Sequence, residues 1–323
     1  MDPEQFFTAS GVIIVAGKGG VGKTAVASAL TTAASAAGLR TVLIELEGKS
    51  GIASMFGVEP LRFDEQVLIE AGDGQGGVTA RTITPDEALV NYLREHGLSR
   101  ISNRLVASGA VELVSTAVPG IRDILVLGEV KRLERAGEYD LVVVDAPAAG
   151  HAISFLRSAA GLVDAVSVGP INSQAREVLA LLGDPRRCRV LLVTAPEETP
   201  VNELIETAYS LEDEVGLTLG PVVVNGLLEE LPGLEVDPVT AAADAGARLL
   251  EGEAEVLAAS SDFRRARRAL QDAQLDRLAM ELPLPQLHLP FMFTTDLDAH
   301  DVHHLSEVLW ERVEALPTVG SSA

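Results

Sequence analysis

Cysteine is almost missing from this 323-residue chain, where Cys188 stands alone. One thiol cannot close an intrachain disulfide, and one subunit cannot hold an iron–sulfur cluster or a multi-cysteine metal site. A reducing, cytoplasmic setting is therefore expected. Basic residues are scarce too, 25 Lys and Arg against 47 Asp and Glu, a formal net charge of -22 at pH 7. Charge of that sign opposes nucleic-acid phosphates and anionic lipid, so no nucleic-acid partner is expected. The one dense basic run, Arg264, Arg265, Arg267 and Arg268, reads as a solvated helix face that offsets nearby carboxylates. No apolar run approaches the roughly 18 residues of a bilayer span, so no stable membrane insertion is expected. Met1 to Ser10 has acids and no basic-then-apolar order, and does not read as a signal peptide. Aromatics are only 4% of the chain, with a single Trp.

Aliphatic residues are plentiful, and 47% of the chain is hydrophobic, ample for a large core. Short β-branched runs alternate with helical stretches: Val12 to Ala16, Thr41 to Leu46, Leu141 to Asp145, Ala165 to Gly169, Val190 to Thr194, Val222 to Asn225 and Leu287 to Leu289. Runs apolar throughout indicate strands covered on both faces, hence an α/β fold with a doubly wound, mostly parallel sheet. We expect one domain over residues 1–319 with helical insertions at about 84–136 and 228–282, and a disordered tail at 320–323. A hairpin is predicted from Val67 to Ala71 and Val78 to Ile83 across the Gly-rich turn Gly72 to Gly77. Thr84-Pro85-Asp86-Glu87 is a helix start with Thr84 as its cap. In the second insertion Phe263, Ala266, Leu270 and Ala273 recur at spacings of three and four and form one apolar stripe.

The chemistry concentrates in Gly17-Lys18-Gly19-Gly20-Val21-Gly22-Lys23-Thr24, the phosphate-loop pattern G-x-x-x-x-G-K-[ST]. A strand leads in and an Ala-rich helix, stopped by Gly38, leads out. The backbone N–H groups of Gly19, Gly20, Val21 and Gly22 are expected to cradle the phosphates of ATP, with Lys23 on the β- and γ-phosphates and the Thr24 hydroxyl on Mg²⁺. Asp145 closes an apolar strand and is the natural Walker B carboxylate, positioned to hold the water shell of the same Mg²⁺.

The second lysine of the loop, Lys18, resembles the signature of the deviant Walker A ATPases. Asp145-Ala146-Pro147-Ala148-Ala149-Gly150-His151 resembles the D-T-A-P-T-G-H switch of the branch that contains the arsenite-pump and tail-anchored-protein targeting ATPases. It keeps Asp145, Gly150 and His151 but replaces both threonines by alanine. Further likenesses follow in the family's order: Pro119-Gly120-Ile121-Arg122-Asp123, Thr194-Ala195-Pro196-Glu197, Val223-Val224-Asn225 and Leu289-Pro290-Phe291. The resemblance implies a dimer that sandwiches ATP, with Lys18 acting on the partner's nucleotide. It also implies Asn225 reading adenine while Pro290 and Phe291 close the base pocket. Glu47 stands where the family has the aspartate that orients the attacking water.

The cargo devices of that family are missing. Four methionines, Met1, Met55, Met280 and Met292, do not make the Met-rich groove that suits membrane-helix clients, and no C-x-x-C pair is present. The expected function is an ATPase switch coupled to an unidentified protein client. The alternative is a weakly hydrolysing subunit paired with a paralogous ATPase, so that the dimer is a homodimer or a heterodimer. His300, His303 and His304 beside Asp298 and Asp301 read as a solvated first helical turn in preference to a metal site.

Overall fold

A computed structural model describes residues 1–46, 51–72, 74–108, 120–165 and 169–317, with the side chains of 107, 108, 148–153 and 165 left aside. The apolar runs become strands: β1 Val12–Gly17, β2 Thr41–Leu46, β3 Gln66–Ile69, β4 Val78–Ile83, β5 Leu141–Ala148, β6 Cys188–Thr194, β7 Val222–Leu227 and β8 Gln286–Pro290. They form one sheet in the order β3-β4-β2-β5-β1-β6-β7-β8. Every pairing is parallel except β3 with β4, which is the expected hairpin. Every residue of β1 and β2 is buried, as a central strand covered on both faces requires.

Alternate side chains of β1 enter two separate cores. Ile14 joins Val144, Leu192 and Val224 beneath α6 (Ile121–Ala136), α7 (Ala149–Ala165), α8 (Pro170–Leu182) and α9 (Glu198–Val215). Ile13 and Val15 join Val143 and Leu191 against α2 (Lys23–Ala36) and α12 (Ala299–Glu314). The remaining helices are α1 (Pro3–Thr8), α3 (Gly51–Phe56), α4 (Pro85–Glu95), α5 (Ser99–Ser108), α10 (Pro238–Asp244) and α11 (Glu253–Glu281). The connection from β1 runs to one side through α2, and that from β5 crosses to β6 on the other. The chain therefore reverses its winding at β1, and a crevice opens at the carboxyl ends of the strands there.

Local signals behave as the residues dictate. Thr84 Oγ1 accepts from the Glu87 N–H at 3.2 Å and caps α4. Asp298 accepts from the N–H groups of His300 and Asp301, so this acid caps α12.

One expectation is corrected. Ala165 ends α7 and Gly169 precedes α8, so the strand expected from Ala165 to Gly169 does not form at either end, and residues 166–168 lie outside the described set. An Ala-rich apolar run suits helix or buried strand equally, and here its first residue, Ala165, belongs to the helix begun at Ala149. The stripe Phe263, Ala266, Leu270 and Ala273 lies on α11 but faces solvent: only Gln271 and Leu278 of that helix are buried.

Candidate active site

The loop between β1 and α2 owes its path to glycine. Gly20 and Gly22 both have φ 86°, and a Cβ on Gly22 would lie 2.2 Å from the Asn225 side-chain nitrogen. At Gly17 a Cβ would lie 2.2 Å from the Val193 carbonyl, so β1 and β6 close together only because that residue has no side chain. Gly22 then starts α2, whose N-terminus faces the crevice.

Two side chains brace the loop from within. Lys23 is buried and curls back so that its Nζ donates to the Lys18 carbonyl at 2.9 Å. Asn225, on β7, donates its Nδ2 to the Val21 carbonyl at 2.9 Å. The loop is thus tied at both shoulders, by Lys23 and by Asn225.

The strand register brings the acid to the hydroxyl. Val15 of β1 pairs with Asp145 of β5, which in turn pairs with Glu45 of β2. Asp145 is fully buried, and its Oδ2 accepts from Thr24 Oγ1 at 2.7 Å. A buried carboxylate beside a hydroxyl at a helix N-terminus is an all-oxygen donor set, the kind a hard divalent cation takes. The residues fit Mg²⁺ on that chemistry. Glu45, also buried, accepts from the Ile52 N–H at 3.4 Å and so fastens the start of α3, whose Gly51 lies against Thr24.

Beyond the loop lies an open cleft of about 770 Å³. Lys18, Gly19, Gly20 and Val21 line it together with Asn225, Pro290 and Phe291, so the first part of the phosphate loop and the residues expected at the base share one cavity. Phe291 packs edge-on against Phe293 at 4.9 Å, and its N–H bonds Leu227 O, holding the end of β8 to β7. Three side chains of α11 that sequence reasoning missed, Phe263, Arg267 and Gln271, also line the cleft. Buried Gln271 accepts from the Leu228 N–H and donates to the Gly226 carbonyl, which clamps the turn after Asn225.

Two further acids border the site, Glu203 on α9 and Glu197 just before it. Glu203 holds Lys18 at 2.5 Å, and Glu197, the residue capping the helix start, pairs with Arg267. Glu197 belongs to the Thr194-to-Glu197 likeness of the sequence, whereas no local motif announces Glu203. Glu47 lies outside the described residues, as does the side chain of His151.

The basic run on α11 is offset by acids: Arg265 by Asp262, Arg267 by Glu197, Arg268 by Asp272 and Glu230. Cys188 is buried at the start of β6, and burial pushes its thiol up to about 12, which keeps it protonated and inert. Among the described residues no group of three or more His, Cys, Asp or Glu is arranged to hold a metal, and no helix is long and apolar enough to cross a membrane.

A parallel sheet reversing at β1, a glycine loop at that point and a buried Thr–Asp pair beneath it define a P-loop nucleoside triphosphatase. The profile of the anion-transporting ATPase family matches residues 10–168. The chain is 32% identical over 318 residues to ATPase BagA of Mycobacterium tuberculosis (strain ATCC 25618 / H37Rv), covering 92% of this chain and 91% of that protein. It is 27% identical over 144 residues to ATPase get3 of Schizosaccharomyces japonicus, covering 45% and 42%. With ATPase ASNA1 homolog 2 of Paramecium tetraurelia it shares 28% over 145 residues, again 45% and 42%. The chain belongs to the ArsA-like ATPase family: it is an ATPase and binds nucleotide.

Proposed function

We propose that this ATPase works in the cytoplasm as a dimeric switch, in which Mg-ATP bound and hydrolysed at the cleft changes the surface offered to a protein client. The observation that carries the reading is the Thr24–Asp145 contact of 2.7 Å beneath a loop already closed by Lys23. Phosphoryl transfer asks little of a protein beyond positioning and charge, and those are what these residues supply.

In this reading the backbone N–H groups of Gly19, Gly20, Val21 and Gly22 hold the phosphates, and the Lys23 ammonium moves from the Lys18 carbonyl to the β- and γ-oxygens. Thr24 directly, and Asp145 through water, would hold Mg²⁺, which neutralises charge on the phosphates. Asn225 keeps its Nδ2 on Val21 and offers Oδ1 to the exocyclic amine of adenine, which guanine lacks at that position. Pro290 and Phe291 give the base an apolar wall. Glu47 orients the attacking water. Lys18 leaves Glu203 and acts on the nucleotide of the other subunit, as an arginine finger does.

Mixing two inactive variants tests the action in trans. Lys18→Ala and Lys23→Ala each silence their own dimers. A mixed dimer regains one complete site if Lys18 is donated by the partner, so an equal mixture should recover roughly a quarter of wild-type turnover for random pairing of a two-fold dimer. A mixture that stays silent places Lys18 on its own subunit's phosphates and sinks the reading. Repeating the mixture with a paralogous chain from the host separates the homodimer from the heterodimer.

A further inference from the structure

The 29-residue helix α11 is long, about 44 Å at 1.5 Å per residue, yet almost none of it is buried. Val256, Ala259, Phe263, Ala266, Leu270 and Ala273 follow one another at spacings of 3, 4, 3, 4 and 3, the seam of a coiled coil. Val256, Phe263 and Leu270 are 66%, 73% and 62% exposed, and the three alanines are exposed too. The residues that fasten α11 to the domain, Gln271 and Leu278, point roughly 100° away around the helix. The seam is therefore a free face and not the underside of a packed helix. Its neighbour α10 buries no residue of its own.

We propose that this seam is a docking surface for the α11 helix of a second copy of the chain, the two helices lying antiparallel. Two features select that occupant. Large and small residues alternate along the seam, and an antiparallel partner centred near Ser261 sets Val256 against Ala266 of the second copy and Ala259 against its Phe263. Each bulky side chain then meets a small one, which lets two helices approach closely. Charge is polarised along the helix in the same sense: Glu251, Glu253 and Glu255 precede the seam's centre, and Arg264, Arg265, Arg267 and Arg268 follow it. An antiparallel partner brings the acidic end of each helix to the basic stretch of the other, with Glu253 beside Arg267 of the second copy. A parallel partner stacks arginine on arginine. Phe263 and Arg267 also line the nucleotide cleft, so a copy docked here also borders the ligand. The surface rests on the dimer reading above, and the two fail separately.

Because Cys188 is buried, introduced cysteines are the only reactive thiols on the full chain. With Mg-ATP present and a short bismaleimide as probe, Val256→Cys/Ala266→Cys should give a covalent dimer, and Val256→Cys alone should not, its copy lying some 15 Å along the axis. Linkage through Val256→Cys alone means parallel helices and overturns the arrangement. Val256→Asp/Leu270→Asp, at exposed positions outside the cleft, should keep the far-UV circular dichroism of the wild type. It should raise the dimer dissociation constant in sedimentation velocity by about 30-fold or more, the loss typical of a hot spot. A double variant that dimerises as the wild type does removes the seam and leaves the dimer reading intact. A wild type that stays monomeric with Mg-ATP removes both.

Discussion

Lys18 and Glu203, 185 residues apart in sequence, are joined by an ion pair of 2.5 Å at the rim of the nucleotide cleft. Both side chains are about a third exposed, so the pair is a weak one. A triphosphate arriving in the cleft competes with Glu203 for the same ammonium. Glu203→Gln removes the competitor, and should lower the ATP concentration at half-maximal turnover by about 2- to 5-fold, the equivalent of roughly 0.4–1 kcal/mol. The gain should vanish in a Lys18→Ala background, which a double-mutant cycle of half-saturation values reads directly.

Lys18 itself should matter to rate far more than to affinity. If it meets the transition state as an arginine finger does, Lys18→Ala lowers single-turnover hydrolysis by on the order of 10³-fold. Nucleotide affinity, followed by calorimetry, should change little. Equal losses in both would make it a simple phosphate contact.

Asp145 is placed to hold a cation through water and through the Thr24 hydroxyl. Asp145→Asn keeps the hydrogen bond to Thr24 but removes the charge. The Mg²⁺ concentration at half-maximal turnover should then rise by about 10- to 100-fold, the range seen when an outer-sphere partner of a metal is lost. An unchanged Mg²⁺ titration would remove this acid from the cation site.

Asn225 joins the loop to the base end of the cleft. Asn225→Ala loses one hydrogen bond to Val21, a net cost of about 1 kcal/mol, and the preference for ATP over GTP with it. Gly22→Ala should do similar harm by a different route, since its methyl would displace the Asn225 amide and strain a φ of 86°. Competition of GTP against labelled ATP measures both.

One prediction concerns pH. Burial, with Arg312 and Arg268 adding to it, lowers the His288 pKa below its ordinary 6.5. The folded chain then binds its proton less readily than the unfolded chain, so stability is lost as pH falls through the unfolded value and is unaffected well above it. His288→Gln should flatten the fall in urea-melting midpoint between pH 7 and pH 5. A wild-type profile without that fall would contradict the assignment.

How much of this was legible in sequence depended on distance along the chain. The phosphate loop is a local object, with strand, glycines and helix in consecutive positions from Val12 to Ala36, so composition and spacing specify it; Asp145 was legible because it ends an apolar run. Glu203, Glu197, Arg267 and Gln271 reach the same cleft from α9 and α11, and no periodicity says that two helices will meet there. The seam of α11 shows the opposite limit: its period was plain, but period reveals an apolar face without naming what covers it. The strand expected from Ala165 to Gly169 failed at its two ends for a third reason, since a short aliphatic run fits either kind of buried element.

The central claim is that the loop from Gly17 to Thr24 is where ATP is bound and split, with Lys23 as the cation on its outer phosphates. Steady-state phosphate release by the purified full chain, wild type against Lys23→Ala, tests it most directly. The account predicts Mg²⁺-dependent release from the wild type and its near-complete loss in the variant, with the fold intact by circular dichroism. Equal release from both would contradict it.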